Sequence, residues 1–139
     1  MVAIDLAKLN WLAVIVTGIV SWIIGAIWYA PPVFGNRWMK LVGIKPEDAR
    51  ASAGKALVGG LVLAIITSFF LAIFINFMAA TTFVDGAIGG FLVWLGFIAT
   101  AAATGVLFER RPVALYAIGQ THLAIAFIVM GIILAVWRP

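Results

Sequence analysis

The chain has 139 residues, of which 65% are hydrophobic and 10% are charged, and its mean hydropathy is +1.21. This composition excludes an ordinary soluble globular domain and indicates an integral membrane protein. The chain has no cysteine, which excludes disulfides and thiolate chemistry, and its net charge of +4 comes from residues that flank apolar segments, so we expect lipid rather than nucleic acid as its partner.

The first predicted element is a membrane span over residues 11–30. At ~1.5 Å per residue it reaches ~30 Å, about the thickness of the hydrocarbon core. Pro31 and Pro32 end it, because proline cannot continue a helical hydrogen-bond ladder. Small residues share one broad face of this helix, which favours close packing on a neighbour. They are Thr17, Gly18, Ser21 and Gly25.

An amphipathic helix lying in the membrane interface is predicted next, within residues 33–55. Its apolar side carries Phe34, Trp38, Leu41 and Val42, and its polar side carries Asn36, Arg37 and Lys40. Aromatic rings and cations at this level suit anionic headgroups on the cytoplasmic side. The predicted lipid-contacting residues are Trp28, Tyr29, Arg37, Trp38 and Lys40.

Three further spans are predicted over residues 56–80, 87–108 and 113–137. The run from Lys45 to Asp48 is typical of a helix start, and it leaves open whether that helix continues into the second span. Asp85 is predicted to cap the third span. Because the third span is richest in small residues, we expect it to be the most enclosed helix of the bundle.

The predicted fold is therefore an all-α, four-helix integral membrane bundle with an interfacial helix after the first span, in a single transmembrane domain over residues 1–139. Seven Lys and Arg residues lie in the first and third connections, against two at the termini. The positive-inside rule then predicts a multi-pass protein of the cytoplasmic (inner) membrane with both termini outside. Four short spans bury little surface, so we expect a homo-oligomer, with a dimer as the first expectation.

The double-proline segment also carries a resemblance that covers roughly residues 11–137. The chain resembles the family of small membrane proteins called domain of unknown function 1761, which implies four spans and a compact helical membrane protein but no activity. The pattern comprises Gly25-x-x-Trp28-Tyr29-x-Pro31-x-x-Phe34-Gly35-x-x-Trp38-Met39, then Trp94-Leu-Gly-Phe97 and Leu107-Phe-Glu-Arg-Arg-Pro112. Where the family motif has serine before the proline, this chain has Ala30.

The candidate cavity-lining residues are His122, Gln120, Asn76, Thr100 and Thr104. His122, the only histidine, is predicted ~14 Å into the fourth span, close to the midplane. Two interpretations stay open: a proton relay or ligand contact, or a hydrogen bond across the bundle to Thr100, Thr104, Thr67 or Ser68. Gln120 and Asn76 are predicted to line a polar cavity near the outer half, or to bond between helices.

No Asp or Glu lies within any predicted span, which disfavours proton-coupled export of cations. We expect no catalytic residue, metal or cofactor, and hence no enzyme. The leading hypothesis is a conduit or transporter for a small neutral or amphiphilic solute. The alternative is a non-catalytic structural or lipid-interacting protein acting through its cytoplasmic interfacial segment. A cofactor-dependent membrane enzyme is a third, weaker hypothesis.

Overall fold

The computed structural model describes residues 3–139, and over that range it contains five α-helices. Four of them are long and apolar enough to cross a membrane, and the exception is the short helix Asn36–Val42. The predicted all-α fold with four membrane-length helices is confirmed. The helices are Trp11–Trp28 (α1), Asn36–Val42 (α2), Pro46–Phe77 (α3), Phe83–Phe108 (α4) and Val113–Val136 (α5).

The first long helix ends at the double proline, as predicted. Ala30, the residue before Pro31, is extended with φ −63° and ψ 143°, as a residue before proline prefers. The chain then makes a wide π-helical turn over Pro31–Gly35, closed by the Gly35 amide, which donates to the Ala30 carbonyl at 3.0 Å. A side chain on Gly35 would collide with the Tyr29 carbonyl oxygen, so this turn requires glycine.

Two helices begin before the spans predicted for them. α3 starts at Pro46 and continues unbroken for 32 residues, or ~48 Å, which answers the question that the sequence left open. α4 starts at Phe83 and is capped by Thr82, whose hydroxyl accepts from the Asp85 amide at 3.1 Å. The prediction that Asp85 is the cap is therefore wrong. A threonine hydroxyl serves that role equally well, and here it lies at the helix boundary.

The hydrophobic core lies in the half of the bundle that carries both termini. There α4 and α5 meet backbone to backbone: a side chain on Gly86 would collide with the Gly131 carbonyl, and one on Gly90 with the Phe127 carbonyl. Small residues permit this approach, and packing contacts over a long shared face replace the missing hydrophobic drive in lipid. The core therefore depends on glycine at these positions.

α1 and α3 cross as closely in the same half. A Cβ on Gly18 would lie 2.7 Å from the Ile65 Cα atom, and the buried Ser68 hydroxyl donates to the Val14 carbonyl at 2.8 Å. The predicted close packing of the first span through its small face is confirmed at Gly18.

The prediction that the third span is the most enclosed is wrong. Only 6% of the α4 window is buried, against 22% to 33% for the other three long helices. In its first half Gly86 and Gly90 face α5 and Gly89 faces Ile75 of α3. Its second half turns small residues outward, and a Cβ on Gly96 would meet nothing within 4 Å. A high content of small residues identifies a helix that can pack closely, not how many neighbours it has.

The amphipathic character of α2 is partly as predicted. Asn36, Arg37 and Lys40 are exposed, while Trp38 and Leu41 are partly covered by the rest of the chain. Val42, expected on the covered side, is exposed, because α2 ends there and Gly43 turns the chain with φ 83°.

Candidate functional site

The end of α1 closes over the only histidine of the chain. A Cβ on Gly25 would lie 3.2 Å from His122 Nε2. The ring centroids of Trp28 and Tyr29 lie 6.3 Å and 5.3 Å from the imidazole centroid, and Tyr29 meets it edge to face. We call Gly25, Trp28, Tyr29 and His122 the His122 site. Three of its four residues belong to the double-proline motif.

Trp28 anchors α1 to α5 at this site. Its indole Nε1 donates to the Ile118 carbonyl at 3.1 Å, one turn before His122, and its ring packs on Phe34 with centroids 4.5 Å apart. Buried tryptophans usually find such an acceptor. Trp28 and Tyr29, both predicted at the membrane interface, are half-buried against α5, so they join helices as well as ending a span.

The imidazole has no hydrogen-bond partner among residues 3–139: its Nε2 atom is buried and unpaired. The hydroxyls proposed as its partners donate instead to carbonyls, that of Thr67 to Leu63 and that of Ser68 to Val14. The predicted interhelical hydrogen bond of His122 is therefore wrong. The Thr67 hydroxyl bonds a carbonyl of the preceding turn of its own helix, as threonine in a helix readily does, and the Ser68 hydroxyl bonds a carbonyl of α1, so neither is left for the imidazole.

His122 lies near the end of α1 rather than near its middle. It is level with Gly25, which lies three residues, ~5 Å, before the helix ends. Because α5 begins at Val113, it projects ~9 Å beyond α1 on this side. α2 packs along that projection.

A cleft of about 360 Å³ opens beside the His122 site, and Tyr29 belongs to both. Trp38 contributes a wall, held edge to face on Tyr29 with ring centroids 5.7 Å apart. The Tyr29 hydroxyl lies 3.7 Å from where a Cβ on Gly119 would stand, so the glycine makes room for it. We call this space the motif-side cleft; it is lined by Tyr29, Trp38, Val42, Ala102, Val106, Arg111, Leu115, Tyr116, Gly119 and Gln120.

Two side-chain hydrogen bonds hold α4 against α5 behind the cleft. The Trp94 indole donates to Gln120 Oε1 at 3.1 Å, and the Tyr116 hydroxyl donates to the Ala99 carbonyl at 2.8 Å. Both bonds meet α4 in its π-helical stretch, Trp94–Ala99. Gln120 lines the motif-side cleft, and its amide nitrogen is not used by Trp94.

Arg111 stands at the mouth of the cleft. Its Nε donates to Glu109 Oε2 at 2.6 Å in an exposed ion pair. Its amide donates to the Gly105 carbonyl at 3.2 Å, and its Cδ lies 3.3 Å from where a Cβ on Gly105 would stand. The side chain is therefore folded back along the end of α4.

The remaining predicted cavity residues lie elsewhere. Thr100 and Thr104 are exposed on α4, their hydroxyls donating to the Gly96 and Ala101 carbonyls of their own helix. Neither lines the motif-side cleft, so the predicted grouping with His122 is not formed.

Asn76 lies at the end of the bundle that carries the termini, where its Oδ1 accepts from Arg138 Nη1 at 2.7 Å. The shared cavity predicted for Asn76 and Gln120 is wrong. α3 and α5 both run from the cleft end towards that end of the bundle, so a residue late in α3 cannot meet one early in α5. Arg37 and Lys40, the predicted lipid-contacting cations, are exposed on the outer side of α2.

Sequence reasoning missed Gly25, Arg111 and Tyr116 as members of this region. Gly25 and Arg111 both fall within the quoted family pattern, which was a usable signal. Within residues 3–139 no group of three or more His, Asp or Glu side chains is placed to hold a metal ion.

The family whose model is described as "Protein of unknown function (DUF1761)" matches residues 12–135. No curated protein and no solved structure matches the chain.

Proposed function

The chain belongs to the DUF1761 family, and we propose that it is a non-catalytic membrane protein that binds an amphiphilic molecule in the motif-side cleft. The observation that carries the proposal is the make-up of that cleft. Apolar side chains of Val106 and Leu115 lie in one lining with the polar groups of Tyr29, Gln120 and Arg111. Ligand sites in proteins combine a mostly apolar lining with a few polar groups in this way.

The charge distribution supports a location for the cleft at the cytoplasmic side of the inner membrane, with both termini outside. Arg111 is at the cleft, and Arg37 and Lys40 are exposed on the adjacent α2. Cations next to spans favour the cytoplasmic side and attract anionic lipid. An amphiphile would then enter from the inner leaflet, its chain along α4 and α5 and its headgroup beneath Trp38.

Photo-crosslinking tests this function. The full chain in phosphatidylcholine nanodiscs is incubated with a diazirine-labelled fatty acid, irradiated and mapped by peptide mass spectrometry. We expect labels concentrated on peptides that contain Trp38, Val106 and Leu115, and reduced at least severalfold by Trp38→Ala. Equal labelling of all lipid-facing helices, unchanged by Trp38→Ala, would contradict the proposal.

Movement of the bound molecule across the membrane is a second candidate function. The observation that favours it is His122 Nε2, a buried polar atom without a partner directly behind Tyr29. Such an atom carries a desolvation cost that a passing polar group can relieve. His122→Ala would abolish flux of a fluorescent amphiphile into liposomes while leaving cleft labelling intact. Unchanged flux in that variant would restrict the protein to binding.

A homodimer in the membrane is part of this proposal. The exposed small residues of α4, such as Gly96, offer a second copy a surface for close packing. Sedimentation in density-matched detergent should give twice the chain mass, whereas a monomer at all concentrations would rule the dimer out.

A further inference from the structure

The ion pair at the cleft mouth leaves most of the Arg111 guanidinium unused. Only Nε is bonded to Glu109, and among residues 3–139 the two terminal nitrogens have no hydrogen-bond partner. A guanidinium carries five donors arranged as a fork that matches a carboxylate or a phosphate. The pair is exposed and therefore weak, so a competing anion can replace Glu109 at little cost.

The other polar groups of the cleft leave hydrogen-bond donors free, and a tyrosine hydroxyl can accept as well. The Trp38 indole nitrogen and the Tyr29 hydroxyl form no hydrogen bond within the described part of the chain, and the Gln120 oxygen is taken by Trp94, which leaves its amide nitrogen. A donor-rich site selects a ligand whose headgroup is rich in acceptors.

The rest of the lining is apolar, and the space is small. Val42, Val106 and Leu115 supply aliphatic walls. A volume of about 360 Å³ lies at the low end of the range for ligand pockets, which suits one chain rather than two.

We propose that the ligand of the motif-side cleft is a single-chain amphiphile with an anionic oxygen headgroup, a carboxylate or a phosphate, which Arg111 binds in place of the Glu109 carboxylate. This inference rests on the proposed binding function. It adds the chemical class of the headgroup and the replacement of the Glu109 carboxylate by that headgroup on Arg111. Glu109 then acts as a competitor, and its loss strengthens binding.

The test measures immobilisation of nitroxide-labelled stearic acid by the full chain in phosphatidylcholine nanodiscs, at a pH where the acid is ionised. Its methyl ester, which carries the same label and no charge, is the matched ligand. We expect the acid to be retained about tenfold more strongly than the ester. Arg111→Gln should remove that preference, and Glu109→Gln should increase acid retention about two- to fivefold. Arg110→Gln, the neighbouring cation outside the lining, should change neither.

Competition separates the two headgroups. Displacement of the labelled acid by both lauric acid and dodecyl phosphate, but not by dodecanol, supports the shared anionic chemistry. Displacement by only one of the anions identifies that headgroup as the ligand.

Equal retention of acid and ester, still lost in Trp38→Ala, would overturn the anionic headgroup and leave the binding function standing. Weaker retention of the labelled acid by Glu109→Gln would show that the ligand does not compete with Glu109 for Arg111. No immobilisation of either ligand would remove the binding function and this inference together.

Discussion

A Cβ on Gly25 would lie 3.2 Å from Nε2 of His122, so the last turn of α1 and the third turn of α5 are in direct contact because Gly25 has no side chain. Trp28 and Tyr29, which come just before the double proline, lie against the same imidazole. Motif and histidine therefore form one structural unit, and the motif-side cleft opens along its edge.

Gly25→Ala should destabilise the protein by displacing His122. Alanine gains about 1 kcal/mol of helix propensity, but a contact of 3.2 Å requires the imidazole to move, and overpacking costs about 1–3 kcal/mol. Thermal unfolding in detergent should give a lower Tm than the wild type. Gly59→Ala is the control, since a Cβ there meets nothing within 4 Å; equal Tm values for the two variants would contradict the contact.

Trp28→Phe should loosen α1 from α5. It removes the bond to the Ile118 carbonyl, which is worth about 1 kcal/mol, and should shift the NMR resonances of the His122 ring. Trp22→Phe is a matched control, because that indole also donates to a helix carbonyl, that of Leu57, at 3.0 Å. A His122 shift of equal size in both variants would argue against a specific anchor.

Gly90→Ala should be among the most damaging single-methyl changes in the chain. Its Cβ would collide with the Phe127 carbonyl, and two helix backbones cannot yield as a side chain can, so we expect a loss of about 2 kcal/mol or more. Gly59→Ala on α3, where a Cβ meets nothing within 4 Å, should be tolerated. Unfolding by a graded denaturant in detergent gives both values, and equal stability would show that α4 and α5 do not touch at Gly90.

Arg138→Gln should weaken the end of the bundle that carries the termini. The guanidinium donates to Asn76 Oδ1 at 2.7 Å and to the carbonyls of Ala80 and Ala135. Loss of hydrogen bonds from a charged donor in a partly buried place costs about 1.5–3 kcal/mol. Arg37→Gln, which removes an exposed cation, should leave the Tm unchanged, and an equal effect of both variants would refute a structural role for the hydrogen bonds of Arg138.

The sequence predicts the fold well because its signals are local. Long apolar runs set the four long helices, Pro31 stops the first, and Pro46 starts the second. The partners of each helix are harder to predict, since a helix that is apolar on all sides carries no stripe that points to the core. For that reason α4 is predicted at the centre of the bundle, because it is rich in small residues, although in the structure it is the least buried of the four long helices.

The candidate site was predictable only in part. His122 and Gln120 were identified from their polarity within a span, and Tyr29 and Trp38 from the motif. Their convergence depends on the path of the chain after Pro31, which hydropathy does not describe. The prediction for Thr100 and Thr104 is wrong because a threonine hydroxyl inside a span can donate either to another helix or to a carbonyl in the preceding turn of its own helix. The residue type alone does not show which of the two bonds forms.

The most direct test of the account is a set of intermolecular NOEs between labelled protein and a bound single-chain amphiphile in nanodiscs. We predict contacts from the positions next to the headgroup to the Trp38 indole and the Gln120 side-chain amide, and from the chain to Leu115, with none to Asn76 at the opposite end. NOEs spread evenly over the lipid-facing helices, with none at Trp38, would contradict binding in the motif-side cleft.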